Sequence, residues 1–184
     1  MRVWYAAAIA ATLAQPVLAQ AWFMHTSGEI RAYHGDWLAV CADEGNGPCR
    51  VVATAVDPGS NAFFDLRLAA HRIDNSPDWA VEVMDRSMPA SQVETLTFTF
   101  DGEATTIPRS AWKAGDFLYG SVVDTLVIRD PAVAADLVEK MKAGNRVVIT
   151  YAPTGRGDGE ASFPLRGVTA AMNASESRVL ERQE

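Results

Sequence analysis

The chain of 184 residues contains only two cysteines, Cys41 and Cys49, and both fall in one stretch, GDWLAVCADEGNGPC. A close cysteine pair can exchange electrons, hold a metal or form a structural disulfide. The spacing here is not the Cys-x-x-Cys of redox-active pairs, and no further cysteine or grouped histidine completes a zinc shell. A disulfide across a hairpin fits better: WLAVC reads as a strand, ADEGNGP supplies turn residues, and CRVVATAV resumes the strand pattern. The expectation is therefore a structural disulfide between Cys41 and Cys49. Trp37, just before it, is expected to be a structural aromatic anchor rather than a ligand-stacking platform.

Other residues with chemical potential do not assemble into a recognisable pattern. His25, His34 and His71 are far apart, and none sits in a His-x-His or His-x-x-x-His spacing. There is no Gly-x-Ser-x-Gly elbow around Ser121, no phosphate-cradling Gly-x-x-x-x-Gly-Lys loop and no Gly-x-Gly-x-x-Gly opening. An acidic chain can supply carboxylate pairs for glycoside hydrolysis anywhere, but sequence cannot measure their separation. No catalytic, cofactor-binding or metal-binding residue is nominated. Arg156-Gly157-Asp158 spells an adhesion tripeptide, yet TGRGDGE is also what an exposed hairpin turn requires. Asn173-Ala174-Ser175 matches the glycosylation acceptor pattern but falls within an expected terminal helix.

The compartment decides how the cysteines are read. MRVWYAAAIAATLAQPVLAQ has Arg2, an apolar run from Val3 to about Leu13 and small residues at Val17 and Ala19, which predicts a signal peptide cleaved after Ala19. The run is too short to span a bilayer, so a retained anchor is the weaker alternative, and no later segment approaches spanning length. Disulfides persist in the periplasm or outside the cell. The remaining residues, 20–184, are expected to form a single domain, since 48% hydrophobic and 21% charged residues can build an ordinary core. The net charge is −7 and becomes one unit more negative when Arg2 is removed. Such a chain lacks the basic footprint that nucleic acid or an anionic membrane surface would demand.

These residues must be positioned mainly by strands. Alternation and β-branched content predict strands over Gly35–Ala42, Cys49–Val56, Ala62–Ala70, Trp79–Met84 and Val93–Phe100. In VETLTFTF, Leu96, Phe98 and Phe100 share one face and Thr95, Thr97 and Thr99 the other. Asp101-Gly102 predicts a tight turn into EATTIP, and loops are expected at 57–61 and 74–78. Farther on, Asp130 as N-cap, Pro131 at the first helical position, the stripe Val133, Leu137, Val138 and Met141, and Gly144 as C′ residue predict a helix. Strands at Arg146–Tyr151 and ASFPL follow. A terminal helix is expected from Val168, with Val168, Met172, Val179 and Leu180 as its apolar positions. The fold class expected is β-rich α+β: an antiparallel β-sandwich or barrel-like domain with one or two helices in the C-terminal third.

Two stretches together carry a resemblance. GDW-x-x-x-C at Gly35–Cys41 followed by Cys49, and FPLRGVTAAMNA at Phe163–Ala174, resemble the invasion-associated locus B family of exported bacterial proteins; LVEKMKAGNRVVITY is similar to that family's later part. The resemblance implies a small β-rich periplasmic or envelope-associated domain of Gram-negative bacteria, not known as an enzyme and named for host-cell invasion in some members. Cys41 and Cys49 match its N-terminal cysteine pair and Trp37 the aromatic before it. Many relatives have a further cysteine pair, which this sequence lacks. The expected function is a non-enzymatic secreted or periplasmic binding or envelope-accessory protein with an envelope or host protein as partner and no cofactor. The competing classes are a periplasmic hydrolase of cell-wall or sugar polymers and a small-ligand carrier. Partner identity and oligomeric state are not legible.

Overall fold

The computed structural model describes residues 21–54, 66–73, 76–115, 124–155 and 157–182. The expected signal peptide, the 57–61 loop, the start of the 74–78 loop, the surroundings of Ser121, and Arg156 lie outside the described residues. The strands are β1 (Phe23–Met24), β2 (Ile30–His34), β3 (Trp37–Cys41), β4 (Cys49–Thr54), β5 (Leu66–Arg72) and β6 (Trp79–Asp85). They continue with β7 (Val93–Phe100), β8 (Glu103–Ile107), β9 (Trp112–Ala114), β10 (Thr125–Ile128), β11 (Arg146–Pro153) and β12 (Gly159–Pro164). Two helices, α1 (Pro131–Ala143) and α2 (Val168–Glu181), both belong to the C-terminal third.

The strands form two antiparallel sheets. The larger has the order β1-β2-β3-β4-β5-β6-β10-β9 and the smaller the order β12-β11-β7-β8. Because β1 and β9 end the larger sheet without pairing to each other, the barrel form of the expectation does not hold; the architecture is an open pair of sheets. One apolar core joins them. The larger sheet contributes Trp37, Val51, Leu68, Val81 and Leu126, the smaller Leu96, Phe98, Ile149 and Phe163, and the helices add Leu137, Met141 and Met172. No helix among the described residues is long and apolar enough to cross a membrane.

Local sequence explains most element boundaries. The alternation in β7 places Leu96, Phe98 and Phe100 in the core and the threonines outward. By contrast, all five residues of β3 and all seven of β6 are buried; β3 is a continuous apolar run, while β6 also buries Glu82 and Asp85. Asp101 turns β7 into β8 in a left-handed conformation, φ 47°. Its carboxylate also accepts the backbone N–H groups of Asn145 at 2.8 Å and Arg146 at 3.1 Å, tying the turn to the end of α1. The Asp130 carboxylate caps α1 by accepting from the N–H groups of Ala132 and Val133, both at 3.1 Å.

Several expectations require correction. Gly144 is the C-cap, not a left-handed C′ residue: its backbone is extended at φ −88°, ψ 173°. A side chain there would be tight, with its Cβ 3.1 Å from both Leu165 Cδ1 and Lys140 O. Of the strand expected over Ala62–Ala70, residues 62–65 lie outside the described residues, and the described strand runs on to Arg72; that expected over Gly35–Ala42 begins only at Trp37 because Gly35 turns the chain at φ +62°. Leu180 does not join the core; it is 62% exposed, and Val179 is half-buried. The strands β1, β2, β9 and β10 were not anticipated. They are short, and β10 runs directly into the signals of α1.

Candidate functional site

Cys41 and Cys49 face each other across the β3–β4 ladder and are bonded, with Cα atoms 4.0 Å apart. Between them the backbone makes an unusual turn. Asp43, Glu44 and Gly45 all have positive φ, at 50°, 55° and 92°. Two of these are non-glycine residues in a conformation that costs them on the order of 1 kcal/mol or more each. The turn is held by Gly47 N–H and Gly45 N–H donating to Ala42 O at 2.9 Å, and by Glu44 N–H donating to Gly28 O at 2.7 Å. Gly45 is required for a second reason: a Cβ would come within 2.5 Å of Ile30 Cδ1. The disulfide thus pins both the register of the hairpin and a strained turn.

The two sulfurs have different surroundings. Cys41 is fully buried beside Ile30, with Trp22 and Val179 packed against the same cluster. Cys49, 8% exposed, lines a groove of about 650 Å³ between the hairpin end, the segment after β5 and the last turns of α2. Ile73, Pro77, Val179 and Leu180 give it apolar surface. Arg72 and Glu176 span it as an ion pair, Nε to Oε1 at 2.9 Å, and the Arg72 guanidinium lies 4.2 Å over the Trp79 ring while also donating to Pro77 O. Arg182 reaches from the end of α2 to donate to Gly47 O, with its Nη2 3.7 Å from Cys49 Sγ. Arg182 thus staples α2 to the hairpin, and the Arg72–Glu176 pair staples it to β5.

Trp37 is wholly buried and its indole Nε1 donates to Pro164 O at 2.9 Å. Next to it, Asp36 receives two hydrogen bonds from Arg166, at 2.8 and 3.0 Å, and its N–H donates to Arg166 O at 3.0 Å. Those hydrogen bonds hold the Asp36 carboxyl below its ordinary pKa, against a smaller opposing effect of burial. Gly35 and Gly167 complete the junction: a Cβ on Gly35 would meet Arg166 O at 2.6 Å, and one on Gly167 would meet His34 O at 1.9 Å. GDW and PLRG, distant in sequence, form one docking joint.

On the other side of the hairpin turn, Glu29 lies between Arg31 Nη2 at 2.6 Å and Arg50 Nη2 at 2.9 Å. Burial alone would raise its pKa, but hydrogen bonds from Arg31 and the charge of Arg50 carry it below the ordinary value. A buried clasp joins the two sheets, where the Tyr151 hydroxyl donates to Asp85, which also accepts from Ser87 N–H at 2.8 Å and Ser87 Oγ at 2.7 Å.

The histidines do not converge. His25 bonds Ser27 Oγ at 2.7 Å within its own turn, and His34 ends β2, where burial lowers its pKa. His71 lies on β5 opposite Arg50 and is pushed down to about 4 by burial, with the charges of Arg129 and Arg50 adding to the effect. No group of three or more metal-binding side chains gathers among the described residues. Ser175 of the glycosylation pattern is buried in α2. Sequence reasoning missed Arg72, Glu176 and Arg182, because nothing in their spacing marks them. It quoted both halves of the Asp36–Arg166 joint without connecting them.

No family model matches the sequence, and no curated protein matches it at a significant level. Among solved structures, the crystal structure of invasion associated protein B from Bartonella henselae is similar, with a TM-score of 0.56 at 11% sequence identity. The alignment covers 84% of this chain and 99% of that one, so the likeness is one of overall fold rather than of one motif. This chain has the fold of invasion associated protein B.

Proposed function

We propose that the protein is an exported, non-enzymatic binding domain of the cell envelope, and that its working surface is the groove beside the Cys41–Cys49 bond. The observation that carries this reading is the construction of the groove. Leu180 is held in water at 62% exposure over Ile73, Pro77 and Val179, on a helix braced to the disulfide hairpin by Arg182 and to β5 by the Arg72–Glu176 pair. A rigid apolar ledge with a polar rim is the surface on which protein partners find their anchoring contacts. The signal-like N-terminus supports export, and the fold shared with an invasion associated protein supports an envelope role by analogy. The neighbour's name concerns invasion by its own organism; no part in invasion is assigned to this chain.

The test is retention. Immobilised residues 20–184 should retain a discrete envelope protein that the doubly substituted Ile73→Glu, Leu180→Glu chain does not. Equal retention by both chains contradicts the reading, as does hydrolysis of a cell-wall or sugar polymer abolished by one substitution outside the groove.

A further inference from the structure

We infer that Cys49 is a modification site for small anionic thiols, which exchange with the disulfide from the groove side and leave Cys41 as the expelled sulfur. A thiolate must approach a disulfide along the sulfur–sulfur axis, from behind the sulfur it attacks. Cys41 is fully buried, in an apolar cluster with Ile30 and Cys49 against which Trp22 and Val179 pack. Cys49 is the one of the pair that lines the groove of about 650 Å³ and keeps 8% exposure there.

Electrostatics adds a preference for the reagent. Arg182 Nη2 stands 3.7 Å from Cys49 Sγ, so a guanidinium faces the spot where an incoming thiolate and the spread negative charge of the transition state would sit. One effect opposes this direction: Arg182 would also stabilise Cys49 as the leaving thiolate, whereas Cys41 departs into an apolar cluster. Access decides, since Cys49 lines the groove whereas Cys41 is fully buried. The attacking sulfur forms a bond to Cys49 Sγ as the bond between Cys49 and Cys41 breaks. The electron pair leaves on Cys41 Sγ, which takes a proton from water. The small thiol is oxidised to a mixed disulfide and Cys41 is reduced to a thiol.

The experiment uses the folded full-length chain with glutathione, an anionic thiol, and cysteamine, a cationic one, with rapid quenching by excess maleimide and peptide mass mapping. The expected result is glutathione on Cys49 and maleimide on Cys41. Arg182→Gln should lower the glutathione rate relative to cysteamine by about three- to fivefold, the scale of one unit charge acting over a few ångströms near water. Arg182→Lys should restore part of it. Arg146→Gln, which removes an exposed charge on β11 outside the groove, should leave the ratio unchanged. Glutathione on Cys41, an adduct spread evenly over both sulfurs, or no exchange in the folded chain overturns the inference. So does a rate that climbs steeply with mild denaturant, or an Arg182→Gln ratio equal to that of Arg146→Gln.

Discussion

The indole N–H of Trp37 donates to the carbonyl of Pro164 at 2.9 Å, joining the start of β3 to the end of β12 and hence the larger sheet to the smaller. Trp37 is wholly buried and Pro164 half-buried, so the indole N–H has its partner in that carbonyl. Trp37→Phe should keep most of the apolar burial but leave the Pro164 carbonyl unpaired, costing about 1–3 kcal/mol in a urea unfolding titration. Trp37→Ala should cost about 3–5 kcal/mol through the cavity it leaves. Equal stability of Trp37→Phe and the parent chain would mean that the joint is not under load.

The same joint gives a comparison of two glycines with nearly identical φ. Gly167 and Gly102 have φ of 96° and 98°, but a Cβ on Gly167 would fall 1.9 Å from His34 O, whereas Gly102 has open space around it. Gly102→Ala should cost about 1 kcal/mol from conformation alone. Gly167→Ala should cost at least about 2 kcal/mol more, because backbone must move on top of that strain. Thermal denaturation of the two variants side by side measures the difference.

For the hairpin, the doubly substituted Cys41→Ser, Cys49→Ser chain should lose about 2–3 kcal/mol in a guanidinium titration. Limited proteolysis should then cut first within residues 43–46, where three successive left-handed residues are no longer clamped. Alkylation of the parent chain without reduction should leave both cysteines unlabelled.

Acid should act through His71. Its folded-state pKa, about 4, lies below the ordinary value near 6.5, so folding disfavours the protonated ring. Above pH 6.5 both states carry neutral His71 and it contributes nothing. As pH falls from 6.5 to 4 the unfolded chain binds the proton first and stability declines, by about 3 kcal/mol in total from this group. An NMR titration of the His71 ring should show a midpoint near 4; a midpoint near 6.5 would contradict this.

The residues that sequence reasoning placed correctly are those whose local pattern agrees with their tertiary setting. VETLTFTF alternates because one face of β7 is wet, Asp130-Pro131 starts a helix by its own chemistry, and the turn between Cys41 and Cys49 is spelled by ADEGNGP. What escaped was set by partners remote in the chain. IRAYH, WKA and TLVI are too short to announce themselves and become strands because neighbouring ladders recruit them. Gly144 is the C-cap rather than the C′ residue, with an extended backbone close to Leu165 and Lys140 O. The groove was invisible for the same reason: Arg72, Glu176 and Arg182 come to one groove only when α2 folds back over β2, β3 and β4.

The most direct test of the groove as the working surface is a photo-crosslinking amino acid placed at Leu180 and, separately, at Thr97 on the outer face of β7, in the exported chain within intact envelopes. The account predicts one discrete adduct from position 180, competed away by excess parent chain but not by the Ile73→Glu, Leu180→Glu chain, and none from position 97. Adducts of equal yield from both positions, or an adduct at 180 that the doubly substituted chain competes equally well, would contradict it.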